Sequence, residues 1–189
     1  VAIADLVKEK RDKAAADYGI KAYEDYREMI EKENLDAITV VTPDAFHADI
    51  AVAGLEMGCH VLSEKPMATN MEDCRRILDV SKKHPDKILM VDFHKRLDMY
   101  DVDLERVVRE GELGDVQYGY AYMEDRIEVS RDWFKNWPAG SSPFWFIGVH
   151  FVDLIYWVIK SKGAKVFATG RREKLKSLGV DFWDNIPAQ

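Results

Sequence analysis

Short apolar runs alternate with longer stretches in which apolar side chains recur every third or fourth position, and the alternation predicts strands and helices in turn. Val1 to Asp5 is a strand closed by a carboxylate, followed by a helix from about Val7 to Tyr18 that Gly19 would end. Ile20 to Tyr23 is a short edge strand, and Glu24 to Glu33 is a helix with Tyr26, Met29 and Ile30 on one face. The series continues with strand Leu35 to Val41, helix Ala45 to Met57, strand His60 to Leu62, helix Met71 to His84 and strand Ile88 to Phe93. Strands separated by helices predict an α/β fold with a doubly wound parallel sheet. From about Leu97 the pattern changes. Met99 to Glu110 is an amphipathic helix, and Val116 to Glu124 alternates as a long strand with Val116, Tyr118, Tyr120 and Tyr122 on one side. An aromatic loop, Arg131 to Pro143, leads to a helix from Phe144 to Lys160 and a strand from Lys165 to Gly170. The basic run Arg171 to Lys176 reads as a solvated turn or helix start. We therefore expect a dinucleotide-binding domain over residues 1–97 and part of an α+β substrate and oligomerisation domain over residues 98–189.

Bulk properties narrow the function. The 189 residues suffice for one large or two small domains, and a net charge of −7 argues against non-specific nucleic-acid binding. The longest apolar run, Phe144 to Ile159, is broken by His150 and Asp153 and is too short and polar to span a bilayer, so no membrane partner is expected. Cys59 and Cys74 have neither metal-ligand spacing nor the density of a disulfide framework, which fits a reducing cytoplasm and no metal site. The chain opens inside a strand without an initiator Met, and is expected to be an internal piece of a longer polypeptide or a truncated gene product.

Candidate chemistry collects at strand ends, where open α/β sheets bind their ligands. Glu64-Lys65-Pro66 follows the strand at His60 to Leu62, and Thr42-Pro43 follows the strand ending at Val41. Asp5 stands where a carboxylate can accept hydrogen bonds from adenosine ribose hydroxyls, although it could equally cap the next helix. His150 is either an acid/base or a core histidine among Phe146, Phe151, Leu154 and Trp157. Asp153 shares its helix face and either orients the ring or is a structural acid. Trp133, Trp137 and Trp145 either wall a sugar site or pack the loop.

The ordered set Thr42-Pro43-x-x-x-His47, Gly58-x-His60-Val61 and Glu64-Lys65-Pro66 resembles the Gfo/Idh/MocA oxidoreductases, the glucose-fructose oxidoreductase and inositol dehydrogenase group. The resemblance implies a Rossmann-type domain followed by one with an open antiparallel sheet. It places a catalytic role on Lys65 and cofactor contacts on Asp5, Thr42, Pro43, His47, Glu64, Lys65 and Pro66. His47 could equally be a helix-start hydrogen bonder. NAD is expected, with NADP the alternative; the carboxylate of Asp5 repels a 2′-phosphate. A second landmark, D-x-G-x-H-x-x-D, reads here Phe146-Ile147-Gly148-Val149-His150-Phe151-Val152-Asp153. The Gly, His and distal Asp match, and Phe146 replaces the first Asp. The resemblance makes His150 the catalytic base and Asp153 a candidate substrate contact; His94 and Arg96, in a turn that resembles the family's, either touch substrate or nicotinamide or are solvated hinge residues, and Trp145 is a candidate substrate contact by its aromatic face. It also implies that a first strand and its G-x-G-x-x-G turn, absent from this sequence, would lie centrally in the sheet.

The expected activity is hydride transfer between NAD and a secondary alcohol of a sugar, polyol or related compound, in a homo-oligomer, dimer or tetramer. The rivals are a regulatory protein that binds sugar or nucleotide without catalysis, an NAD-dependent glycosidase, and an inactive fragment.

Overall fold

The computed structural model describes residues 1–133, the last by its backbone alone, and residues 141–189. The chain forms two compact units, Val1–Val91 and Asp92–Gln189.

The first unit alternates strands and helices: β1 (Ala2–Ala4), α1 (Lys8–Tyr18), β2 (Lys21–Tyr23), α2 (Tyr26–Glu33), β3 (Ala37–Val40), α3 (His47–Glu56), β4 (His60–Ser63), α4 (Met71–Lys83) and β5 (Leu89–Val91). Helix boundaries follow local chemistry. The Asp25 side chain accepts the Arg27 N–H at 2.8 Å to start α2, and Asn70 accepts the Asp73 N–H at 2.8 Å to start α4. Gly19, at φ 64°, ends α1 as expected. α1 buries no residue and carries Lys8–Asp12 and Lys13–Asp17 pairs one turn apart, so it is a solvated helix.

All strand pairs are parallel, but they form two ladders: β1–β2, and β3–β4–β5. Among the described residues no ladder joins β1 to β3; the family resemblance implies a further strand at the centre of such a sheet. The core lies under the three-stranded sheet, where Ile38, Val40 and Val61 meet Ala48, Ala51 and Leu55 of α3 and Ile77 of α4. Gly54 permits this approach: a Cβ there would come within 2.5 Å of Ile38 Cδ1 and 3.0 Å of Val61 Cγ2.

In the second unit a 3₁₀ turn, His94–Leu97, precedes α5 (Met99–Arg109), which Asp98 caps by accepting the Tyr100 N–H at 3.0 Å. The expected strand Val116 to Glu124 does not form. The segment joins no ladder, and Tyr118, Tyr120 and Tyr122 are 82%, 78% and 76% exposed. Alternation marks two faces but supplies no hydrogen-bond partner, and no described strand lies alongside to provide one. The helix expected from Phe144 is wound in two ways, as a π-helical turn over Phe144–Gly148 and then as α6 (Val149–Ile159). Instead of a strand at Lys165 to Gly170 there are two isolated antiparallel bridges, Ala168 with Ala188 and Arg171 with Asn185. The basic run is a turn into α7 (Lys174–Ser177), whose first N–H groups bond to the Asp184 carboxylate at 2.6–2.8 Å. No helix among the described residues is long and apolar enough to cross a membrane.

Candidate active site

Parallel pairing sets the candidate site of the first unit. Val40 and Ser63 are partners at the last rung of the β3–β4 ladder, so both strands deliver their next residues to the same edge. The Glu64 N–H reaches back to the Val40 carbonyl at 2.9 Å, and the Lys65 N–H donates to Glu64 Oε2 at 3.1 Å. Lys65 then enters Pro66 through a cis peptide. Burial pushes the Lys65 ammonium below its ordinary 10.5, while Asp44 and then Glu64 pull it back up. Asp44 is itself 7% exposed, so a buried carboxylate from the β3 loop accompanies the lysine of the β4 loop. The sequence reading missed Asp44; its place directly after Thr42-Pro43 was the available signal.

His47, expected either at the cofactor or as a hydrogen bonder at a helix start, lies between two backbone carbonyls. The ring is 1% exposed, with Nδ1 2.7 Å from the Pro66 carbonyl oxygen and Nε2 2.7 Å from the Thr42 carbonyl oxygen. Each nitrogen faces a backbone acceptor; a neutral ring donates to one of them, and only the doubly protonated ring donates to both. The alternative reading of His47 as a hydrogen bonder at a helix start fits, since it is the first residue of α3.

Asp5 follows β1. Its Oδ1 accepts the Val7 N–H at 2.7 Å, and its Oδ2 accepts no hydrogen bond among the described residues. Arg11 is held by the Asp5 and Leu6 carbonyls, both at 3.1 Å, and by Glu24 at 2.8 Å, with its side chain 14% exposed. The nearest arginine is therefore committed elsewhere. Thr42 Oγ1 is buried without a hydrogen-bond partner among the described residues. An unused carboxylate oxygen and an unused hydroxyl at two strand ends fit the hydroxyl and amide groups of a nicotinamide dinucleotide without a 2′-phosphate.

In the second unit four candidates come together in two pairs. Asp153 on α6 receives two hydrogen bonds from Arg96 of the 3₁₀ turn, Nε to Oδ2 at 2.8 Å and Nη2 to Oδ1 at 2.6 Å. Asp153 thus anchors the turn that carries His94 and Arg96. The rings of His94 and His150 meet edge to face, with centroids 4.8 Å apart. His150 is 6% exposed and His94 is exposed. The i, i+3 spacing of His150 and Asp153 signalled a shared face, and the resemblance singled out His94 and Arg96, but nothing in the sequence paired these residues with one another. Phe146 packs toward the apolar cluster of Leu175 and Phe182. It lies in the π turn, so its register to His150 is not that of one α-helical turn. Trp145 is half-buried in the same turn, its backbone N–H donating to Ser142 Oγ at 3.2 Å. Trp137 and the side chain of Trp133 lie outside the described residues.

Comparison with known proteins bears on both units. Residues 1–93 match the model of an oxidoreductase family with an NAD-binding Rossmann fold, GFO/IDH/MocA, and residues 102–186 match that family's C-terminal domain. The chain belongs to the GFO/IDH/MocA family. Among curated members it is 31% identical over 163 residues to the D-glucoside 3-dehydrogenase of Escherichia coli, covering 84% of this chain and 46% of the relative. It is 26% identical over 175 residues to the inositol 2-dehydrogenase of Salmonella typhimurium, covering 88% and 49%. The solved myo-inositol 2-dehydrogenase of Lactobacillus plantarum superposes with a TM-score of 0.92 at 25% identity, over 100% of this chain and 57% of that one. The chain thus spans about half the length of the family members it matches.

Proposed function

We propose that this chain serves NAD-dependent oxidation of a secondary alcohol on a cyclic polyol or sugar. The observation that carries the reading is Lys65: a lysine driven down by burial at the carboxyl end of β4, with Asp44 and Glu64 drawing it back. Bound NAD supplies the hydride acceptor. On this reading Asp5 and Thr42 bind the cofactor, and NAD is preferred because Arg11 is engaged with Glu24. Lys65 holds the hydroxyl oxygen and stabilises charge developing on it. His150 accepts the hydroxyl proton, a task that imidazole suits near neutral pH. The names of the relatives, two inositol dehydrogenases and a glucoside dehydrogenase, suggest the substrate class.

The test is reduction of NAD, followed by near-ultraviolet absorbance, with the protein that carries this chain and a panel of inositols, sugars and glycosides. Turnover on at least one is expected, and Lys65→Met is expected to lower kcat about 10²–10³-fold, the usual effect of removing a charge-stabilising donor. Unchanged turnover in Lys65→Met would sink the mechanism.

One observation favours a second reading. Phe146 stands where the family has a carboxylate, and it packs in an apolar cluster. A protein that binds NAD and a polyol without turnover over the whole panel would fit that reading, in which the fold senses ligand.

A further inference from the structure

His47 is the buried polar group that the proposed chemistry leaves unused. It belongs to neither loop of the site, yet it touches both. The loop after β3 carries Thr42, Pro43 and Asp44; the loop after β4 carries Glu64, Lys65 and Pro66. The parallel ladder ends at Val40 and Ser63, and beyond Glu64, whose N–H still reaches Val40, no ladder bond holds the two loops together. The His47 ring fills that gap, with Nδ1 2.7 Å from the Pro66 oxygen and Nε2 2.7 Å from the Thr42 oxygen. The bridge stands on a firm base. His47 opens α3, which lies close against β3 and β4 at Gly54, and both His47 and Pro66 are fully buried. An apolar residue here would take away the N–H that the ring donates to this pair of carbonyls, to one of them when neutral and to both when doubly protonated. A side chain with one nitrogen can face only one of the two oxygens.

We propose that His47 is a positioning residue: by bridging the Thr42 and Pro66 carbonyls it holds the Lys65 loop against the turn that carries the buried Asp44 carboxylate, and so fixes the electrostatic surroundings of Lys65. The proposal deepens the reading of Lys65 as the working lysine and rests on it for its functional meaning. Its test reads the lysine itself and needs no turnover.

The two legs can be cut separately. The amide nitrogen of an asparagine reaches where Nδ1 lies, and that of a glutamine where Nε2 lies. His47→Asn therefore keeps the leg to Pro66, and His47→Gln loses it. The readout is the pH midpoint of the Lys65 ammonium, followed by NMR of lysine side-chain nitrogens in the full chain and assigned by loss of the signal in Lys65→Arg. Asp44→Asn is expected to lower this midpoint in the otherwise unaltered chain and in His47→Asn. In His47→Gln the same change is expected to move it little, because the loop no longer holds Lys65 near position 44. An equal shift in His47→Gln overturns the proposal, as does an Asp44→Asn change that leaves the Lys65 midpoint in place. That second arm decides the matter even if His47→Gln does not fold. A histidine that only fills the core would lower Tm in both His47 variants and leave the coupling between positions 44 and 65 intact. Failure of the dehydrogenase reading would appear separately, as intact coupling without reduction of NAD.

Discussion

Lys65 sits where burial and charge act in opposite directions, and burial prevails. A lysine whose folded pKa lies below the ordinary 10.5 binds fewer protons folded than unfolded, between those two values. Stability should therefore rise with pH through that window, the penalty of burying the ammonium being present below it and relieved above it. Lys65→Met removes the penalty, so at neutral pH its Tm is expected to equal or exceed that of the unaltered chain, even as turnover falls. Thermal melts at neutral and alkaline pH check this: the gap should narrow as pH rises, and a lower Tm at neutral pH would contradict it. Trading stability for a poised group is common at working sites. At this scale the sequence was legible where position follows the chain directly, as in Glu64-Lys65-Pro66 and Asp5, which stand just beyond their strands. It was not legible where partners meet only through the fold. Asp44 reaches Lys65 because β3 and β4 are parallel neighbours, and Asp153 turns to Arg96 because the 3₁₀ turn lies beside α6.

Among elements, α3 is the platform of the first unit, and its fit depends on one missing side chain. Gly54→Ala would place a Cβ 2.5 Å from Ile38 Cδ1 and 3.0 Å from Val61 Cγ2. Ile38 and Val61 are both in the core, so relief requires movement of packed groups. A loss of about 1–3 kcal/mol is expected in urea unfolding, the usual cost of overpacking. No loss would mean that the helix can lift from the sheet at no cost. Helical periodicity located α2, α3, α4 and α5 to within a few residues, because one buried stripe is enough to define a helix. The strand expected at Val116 to Glu124 failed for the complementary reason: a strand is a relation between two segments, and its own residues carry only half of it. The π turn was hidden for a third reason. Gly148 is there because a Cβ would come within 2.8 Å of the Phe144 ring, and a glycine inside a helical pattern does not announce which winding it serves.

At the scale of the molecule, hydrogen bonding is unevenly shared within the first unit. β4 is paired on both sides, by β3 and β5, whereas β1 is paired only by β2. Val61 and Ser63 are fully buried, while Ala2, Ile3 and Ala4 are only half-buried. Local opening should follow this difference. In hydrogen–deuterium exchange the amides of Val61 to Ser63 are expected to be protected for longer than those of Ala2 to Ala4. Equal protection would mean that the two ladders open as one cooperative body. The alternation of strands and helices foretold the parallel architecture, since that pattern repeats along the chain. The interruption of the ladder was legible only through the family resemblance, because no residue of β1 or β3 marks the edge that lacks a partner.

The engagement of Arg11 has a consequence for anyone wishing to redesign this protein. On the proposed reading, acceptance of a phosphorylated adenosine is barred by two independent locks. Replacing Asp5 removes a repulsion but frees no cation, because Arg11 remains tied to Glu24 and to the backbone of residues 5 and 6. Replacing Glu24 loosens the cation but leaves the repulsion. Neither step alone opens a path, so preference for the unphosphorylated dinucleotide is insulated against single mutations, and a switch would have to be engineered as a pair.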